Sequence, residues 1–402
     1  MIVPTPLLAG LRVLDIASFI AAPAAATVLG DFGADVIKVE PPDGDPHRSM
    51  SSGTGMPVSD VNYCWELDSR NKRSIVLDLK NPEGRAALDL LIARADVLIT
   101  NFPRPVRERL RLRYADVEAI NPRLVYASLT GYGDAGPERD APGYDVTTYF
   151  ARSGITETMR LVDAPPSMSL PAQGDHATAM TLFGAIMLAL YGRERSGRGG
   201  EVSTSLLHNG VWSNGLLAQA ALLGAVPDPR RGRQFARNPL ANTYRARCGR
   251  WLSLVIVRAD RLWIPLCEAM GRAELATDPR FVDQATRAAN APALLAILDD
   301  VFATRDLDDW RARLSAANIT FGTFTSLAEL GDDPQLAASG VTVETGRPGL
   351  TRTIPNPIHA AMAPQVPPGP SPDLGAHGAE ILREAGMAET GIDALRASGA
   401  LR

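Results

Sequence analysis

Between residues 11 and 130 the sequence alternates short aliphatic runs with longer Ala/Leu-rich stretches, and this rhythm constrains the fold more than any other feature. Residues 11–16 read as a strand, 21–32 as a helix and 36–40 as a second strand. A loop rich in Pro, Gly, Asp and Ser (41–55) leads to a strand at 74–79. Asn81-Pro82-Glu83 then opens a helix with a capping side chain, a proline in the first turn and an acidic residue beside it. Strands at 96–100 and 124–129 follow. Strand, helix, strand in this order predicts right-handed βαβ units and a mostly parallel sheet.

Downstream, residues 176–191 form a helix candidate that is apolar almost all round, the pattern of a buried helix. Gly197-Arg198-Gly199-Gly200 breaks it, and a strand at 201–205 and a helix reaching residue 223 come next. Residues 227–243, rich in Arg, Pro and Asn, mark a connection. A hairpin over 244–257 turning at Gly249, then helices at 262–270, 292–304 and 308–316, read as a smaller domain. The expected organisation is an α/β protein. A Rossmann-like large domain with a mostly parallel sheet covers 1–198, a linker helix 199–225 and a smaller α+β domain 226–325. Residues 330–402 return to the large domain.

Charge and composition exclude several classes of function. With 41 Lys+Arg against 45 Asp+Glu and a net charge of −4, the chain lacks the basic footprint of a nucleic-acid binder. Its longest weakly polar run, 180–192, is too short to cross a bilayer. No charged-then-apolar leader pattern opens the sequence. Cys64, Cys248 and Cys267 are widely spaced and read as buried small hydrophobes in a reduced, cytoplasmic setting. The five histidines show no metal-ligand spacing. Among the 41 cations only Lys38, Lys72 and Lys80 are lysines, which hints at places where a compact ammonium is wanted.

The first strand-to-helix junction, Asp15-Ile16-Ala17-Ser18-Phe19-Ile20-Ala21-Ala22-Pro23, lacks the glycines of a dinucleotide site. Neither a P-loop nor a Gly-x-Ser-x-Gly elbow occurs. What remains is Asp175, in Gln173-Gly174-Asp175-His176, at the start of the apolar helix. It reads either as a plain N-cap or as a nucleophile or acid/base. Two further features stand out. The strand Asn71–Lys80 has cations at both ends, equally a solvated rim or a phosphate contact. Asn101-Phe102, with Arg104, Arg107 and Arg109 beyond a strand end, suits a ligand crevice.

Taken together these blocks resemble the class III CoA-transferase family (CaiB/BaiF type), which includes formyl-CoA and crotonobetainyl-CoA transferases. The resemblance is carried by residues 6–15, Gly33-Ala34-Asp35-Val36-Ile37-Lys38-Val39-Glu40-Pro41, Asn71-Lys72-Arg73-Ser74-Ile75, Gly131-Tyr132-Gly133, residues 192–199 and 395–400. It implies an aspartate nucleophile at Asp175. It also implies CoA contacts at Ala21, Leu77, Lys80, Asn101, Phe102 and Arg109, with Tyr144 near the reacting end. Acyl-CoA and a carboxylic acid would be the substrates, with no tightly bound cofactor and no metal. The resemblance further implies an interlocked homodimer.

Two family CoA contacts are replaced here, by Ile20 and Pro41, and the glycine-rich loop of the formyl-CoA enzyme gives way to residues 233–238. Racemases of the family place a histidine where this chain has Tyr144, whose phenol is a poor base at neutral pH. That favours a transferase over a racemase; a CoA-binding protein without turnover is the other alternative. Residues 149–154, Arg237-Asn238-Pro239 and Asn242-Thr243-Tyr244 look closest to the branch acting on 2-hydroxyacyl or arylacryloyl groups, with Arg152 a candidate partner for an acceptor carboxylate.

Overall fold

Buried aliphatic strands, each followed by a helix, build the large unit. In the computed structural model, which describes residues 5–402, β1 (Arg12–Ile16) leads into α1 (Ala21–Asp31), β2 (Asp35–Glu40), α2 (Tyr63–Ser69) and β3 (Lys72–Val76). Next come α3 (Pro82–Ile92), β4 (Val97–Thr100), α4 (Arg104–Arg109), α5 (Tyr114–Glu118) and β5 (Val125–Thr130). A π-helical turn (Val146–Arg152), α6 (Ile155–Met159), the long α7 (Gln173–Ser196), β6 (Gly200–Ser205), α8 (Leu206–Ser213) and α9 (Gly215–Leu222) follow. The first four residues of the expected 1–198 span lie outside the described residues.

All six strands pair in parallel in the order β3-β2-β1-β4-β5-β6. Chain progression reverses between β1 and β4, so the loops leaving those two strands diverge and open a crevice at the carboxyl edge of the sheet. Alternate strand residues feed two layers. Val13, Val36, Val97 and Val125 pack with residues of α1 and α7 on one face. Leu14, Ile37, Leu98 and Tyr126 pack with residues of α3 on the other.

The small unit comprises Met159–Pro166 and Asp228–Asp333; the large unit holds the chain up to Thr158, Ser167–Pro227 and Pro334–Arg402. In the small unit β7 (Thr243–Arg245) and β8 (Trp251–Leu254) form the hairpin, turning at Gly249 with φ +84°. Helices α10 (Ala259–Met270), α11 (Gln284–Ala289), α12 (Ala291–Phe302) and α13 (Leu307–Ala316) precede β9 (Phe321–Thr323), which completes an antiparallel sheet. Phe302 lies between Tyr244 and Trp310, each ring centroid 4.8 Å away. Cys248 is exposed, contrary to expectation, because it sits in the hairpin turn; Cys64 and Cys267 are buried.

After α14 (Pro334–Ala338) and the hairpin β10 (Val343–Arg347) and β11 (Leu350–Thr353), α15 (Gly378–Glu384) and α16 (Glu389–Ala397) bring the chain back to β3. His377 N–H donates to Ser74 O and Asp78 N–H to Ala400 O, each at 3.0 Å, and Leu77 bridges Leu401. Two expectations need correction. Residues 199–225 are more than a linker helix: β6 pairs with the whole length of β5 and belongs to the large unit. Gly199 permits this, since a Cβ there would lie 2.0 Å from Leu124 O. The apolar helix is also longer than 176–191, and it is not buried all round: Leu188 is 74% exposed.

Candidate functional site

The site grows from the start of α7. Ala172 precedes the helix in a left-handed conformation (φ +73°) and offers no side-chain cap, so the first N–H groups need another acceptor. Asp145, from the segment before the π-helical turn, supplies it. Its Oδ2 accepts the Gly174 N–H at 3.2 Å and its Oδ1 accepts the Val146 N–H at 2.7 Å. Gly174 makes the approach possible, because a Cβ there would stand 2.6 Å from Tyr149 Cγ and 2.9 Å from Asp145 Cβ. Asp175 is therefore not the N-cap that local sequence favours. It occupies the third helical position, and its carboxylate has no hydrogen-bond partner among the described residues.

Asp175 opens into a cavity of about 420 Å³ at the switch crevice, with Phe19, Ile20 and Ala21 from the β1–α1 turn, Asn101 after β4, and Tyr144. Asn101 ties the crevice together: its Oδ1 accepts the Ser18 N–H at 2.9 Å and its Nδ2 donates to Ser18 O at 2.7 Å. The Phe19 ring meets Tyr144 edge-on, centroids 6.0 Å apart. No hydrogen bond among the described residues takes the N–H groups of Ile20, Ala21 or Ala22 at the start of α1.

Of the residues expected in the site, Ala21, Asn101 and Tyr144 share this cavity with Asp175. Leu77, Lys80, Phe102 and Arg109 do not line it. They follow β3 and β4 along the same carboxyl edge, Leu77 buried and Phe102 packed on the core. Lys80 and Arg109 are exposed and have no ion-pair partner among the described residues, whereas Arg107 is taken by Asp134 at 2.8 Å. Lys72 and Arg73 are also committed, to Asp15 and Asp35. Arg152 pairs with Glu138 at 3.4 Å, both half exposed.

His176, next in sequence, faces a different cavity, lined by Asp68 and residues of α1. Its Nε2 lies 2.9 Å from Asp68 Oδ1, while His47 Nε2 lies 3.2 Å from Asp68 Oδ2. Burial works against the His176 charge, but the Asp68 bond and charge outweigh it and raise its pKa. Asp68, although buried, is held down to about 2 by the two imidazoles. His176 thus faces away from the Asp175 cavity, and the carboxylate that shares that cavity with Asp175 is Asp145.

Burial first, and then the charge of Asp145, push the Asp175 carboxyl up to about 7. It therefore ionises as pH rises through neutrality. Asp145→Asn keeps an oxygen acceptor for the helix start and removes the like charge. It is expected to lower the Asp175 midpoint by about one unit, read directly by ¹³C carboxyl NMR titration. An unmoved midpoint would leave burial as the sole cause. Sequence reasoning missed Asp145, which only the fold brings to α7; the preceding Gly143 was its sole local signal.

The site is thus a carboxylate with a raised pKa at the switch crevice of a parallel α/β sheet, where proteins of this architecture bind their ligands. The profile of CoA-transferase family III matches residues 8–378, and the chain belongs to that family of CoA-transferase enzymes. It is 30% identical to an (R)-2-hydroxy-4-methylpentanoate CoA-transferase of Clostridioides difficile, covering 98% of this chain and 100% of that one. It is 31% identical to a cinnamoyl-CoA:phenyllactate CoA-transferase of Clostridium sporogenes, covering 97% and 96%. The crystal structure of a CaiB/BaiF family protein from Brucella suis superposes with a TM-score of 0.84 at 30% identity, covering 95% of this chain and 100% of that one. Among the described residues no helix is long and apolar enough to cross a membrane.

Proposed function

We propose that Asp175 is the acyl acceptor in CoA transfer between an acyl-CoA and a free carboxylic acid. The Asp175 carboxylate attacks the thioester carbonyl; the C–S bond breaks, leaving a mixed anhydride and CoA thiolate. The thiolate then attacks the aspartyl carbonyl, releasing the donor acid and forming an aspartyl-CoA thioester. The acceptor carboxylate displaces the thiolate to give a second anhydride. Thiolate attack on its acyl carbon yields the new acyl-CoA and restores Asp175. The observation that carries this reading is an unbonded carboxylate, raised to about 7, sharing a cavity with the unclaimed N–H groups at the start of α1. Those N–H groups suit the tetrahedral oxyanions. Exposed, uncommitted Lys80 and Arg109, with Phe102 between them in the chain, suit the phosphates and adenine of CoA.

We take the acyl groups to be 2-hydroxyacyl or arylacryloyl, which the two named relatives support. The test is peptide mass mapping after incubation with 2-hydroxyacyl-CoA and arylacryloyl-CoA thioesters plus hydroxylamine. A hydroxamate at Asp175 that requires acyl-CoA is expected. CoA binding without any adduct would sink the reading in favour of a non-catalytic binder.

We also propose a homodimer. Helix α9 buries none of its residues although it is almost wholly apolar; Leu216 is 91% and nearby Trp212 84% exposed. Such a surface needs a cover, and a second copy is the commonest one. Sedimentation equilibrium is expected to give twice the 42.9 kDa chain mass; a monomer at micromolar concentration would overturn this.

A further inference from the structure

Two of the three lysines, Lys38 and Lys72, have fully buried side chains beneath the β1–α1 turn. Lys38 Nζ lies 2.7 Å from Asp45 Oδ2 and 3.6 Å from Asp15 Oδ1, and donates to Ala17 O at 2.5 Å. Asp45 in turn accepts the Phe19 N–H at 3.1 Å and the His47 N–H at 2.9 Å. Lys72 Nζ holds the other carboxylate oxygen of Asp15 at 2.9 Å and donates to Pro23 O at 2.8 Å. With Asn101 on Ser18, the turn is gripped at Ala17, Ser18, Phe19 and Pro23. Between these grips stand Ile20, Ala21 and Ala22, whose N–H groups remain unclaimed.

The grip has a task, because the turn is strained. Phe19 adopts φ +62°, which costs an aromatic residue free energy and persists only where the surroundings over-determine it. Burying four charges is also costly unless their arrangement is used. A tetrahedral ammonium can serve a carbonyl and two carboxylates from one point, which a planar guanidinium cannot. That accounts for lysine at these positions in a chain whose cations are otherwise nearly all arginine.

We propose that Lys38 and Asp45 are positioning residues for acyl transfer: their buried pair fixes the strained turn, so that Ile20 and Ala21, which line the Asp175 cavity, keep their unclaimed N–H groups in place there. This rests on the reading of Asp175 as acyl acceptor. The pair therefore bears on the chemical step more than on the affinity for CoA, whose expected contacts at Leu77, Lys80, Phe102 and Arg109 lie outside the turn.

The test uses the full chain and begins with hydroxylamine trapping on the wild type. No wild-type adduct would remove the Asp175 assignment, and this proposal with it. Given an adduct, Lys38→Met/Asp45→Asn is compared with wild type; the double change leaves no unpaired Asp45 charge and so guards against misfolding. Lys38→Arg is the second variant. The expected result is a kcat about 10- to 100-fold lower, with KM for acyl-CoA within about twofold. The single-turnover rate of adduct formation should fall in parallel. Lys38→Arg should fail to restore it. Unchanged kcat in variants with native near-UV circular dichroism would overturn the proposal. So would equal losses of kcat and of folded fraction, or full activity in Lys38→Arg.

Discussion

Asp175→Ala is expected to lower CoA-transfer kcat by at least about 10³-fold, because it deletes the atom to which acyl groups bond and leaves only binding and oriented N–H groups. Acyl-CoA should still bind, since Lys80, Phe102 and Arg109 stand outside the Asp175 cavity. Steady-state kinetics together with equilibrium CoA binding decide the matter. A variant within tenfold of wild type would remove Asp175 from the mechanism.

Asp175→Asn adds a second readout, in stability. The folded pKa of about 7 exceeds the ordinary 3.8, so the folded protein holds this proton more tightly than the unfolded chain does. Below about pH 4 both states are protonated and the group is neutral to stability. As pH rises towards and through 7 the unfolded chain gains relative to the folded one. Asp175→Asn should therefore be more stable than wild type at pH 8, by roughly 1–2 kcal/mol after allowing for its partial exposure, and equal to it near pH 4. Urea titrations at the two pH values measure this. Equal stability at pH 8 would mean that the carboxylate is not raised.

The other large effect is expected at Gly174. A methyl group there meets Tyr149 at 2.6 Å and Asp145 at 2.9 Å, and neither can retreat easily. Tyr149 is buried and its hydroxyl is held 2.7 Å from Ser213 Oγ, while Asp145 is fixed by the helix start that it caps. The first turn of α7 must move, carrying Asp175 with it. Gly174→Ala is expected to lose about 10²-fold in kcat and roughly 1–3 kcal/mol of stability, checked by kinetics and thermal unfolding. Wild-type kinetics would show that the site tolerates a displaced helix start.

The sheet was legible because β1, β2, β4 and β5 are aliphatic runs whose partners need not be known to recognise them. β3 shows the limit. Its observed start at Lys72 lies two residues before the expected 74, because the charges of Lys72 and Arg73 look like a solvated rim. Their counter-charges, Asp15 and Asp35, lie 57 and 38 residues away, and no local pattern connects them. Asp175 was visible, but its local environment was misjudged for a similar reason. A helix-start aspartate reads as a cap until the fold delivers Asp145 from 30 residues earlier to do the capping. Likewise, residues 176–191 read as buried all round, because sequence carries no record of which face the same chain leaves uncovered.

The return of residues 377–402 to β3 has a consequence for how the protein is made. Residues 228–333 of the small unit are synthesised in one stretch, and its other piece, 159–166, comes earlier still. Every residue of the small unit is therefore made before residue 334. The large unit is not complete by then, since the backbone groups of Ser74 and Asp78 wait for partners from His377 and Ala400. At ribosomal speed the sheet edge beside β3 stays unfinished for roughly 3–14 s after the small unit is complete. An open strand edge is a template for wrong pairing during that interval. The hazard of wrong pairing during synthesis thus falls on the unit that carries Asp175.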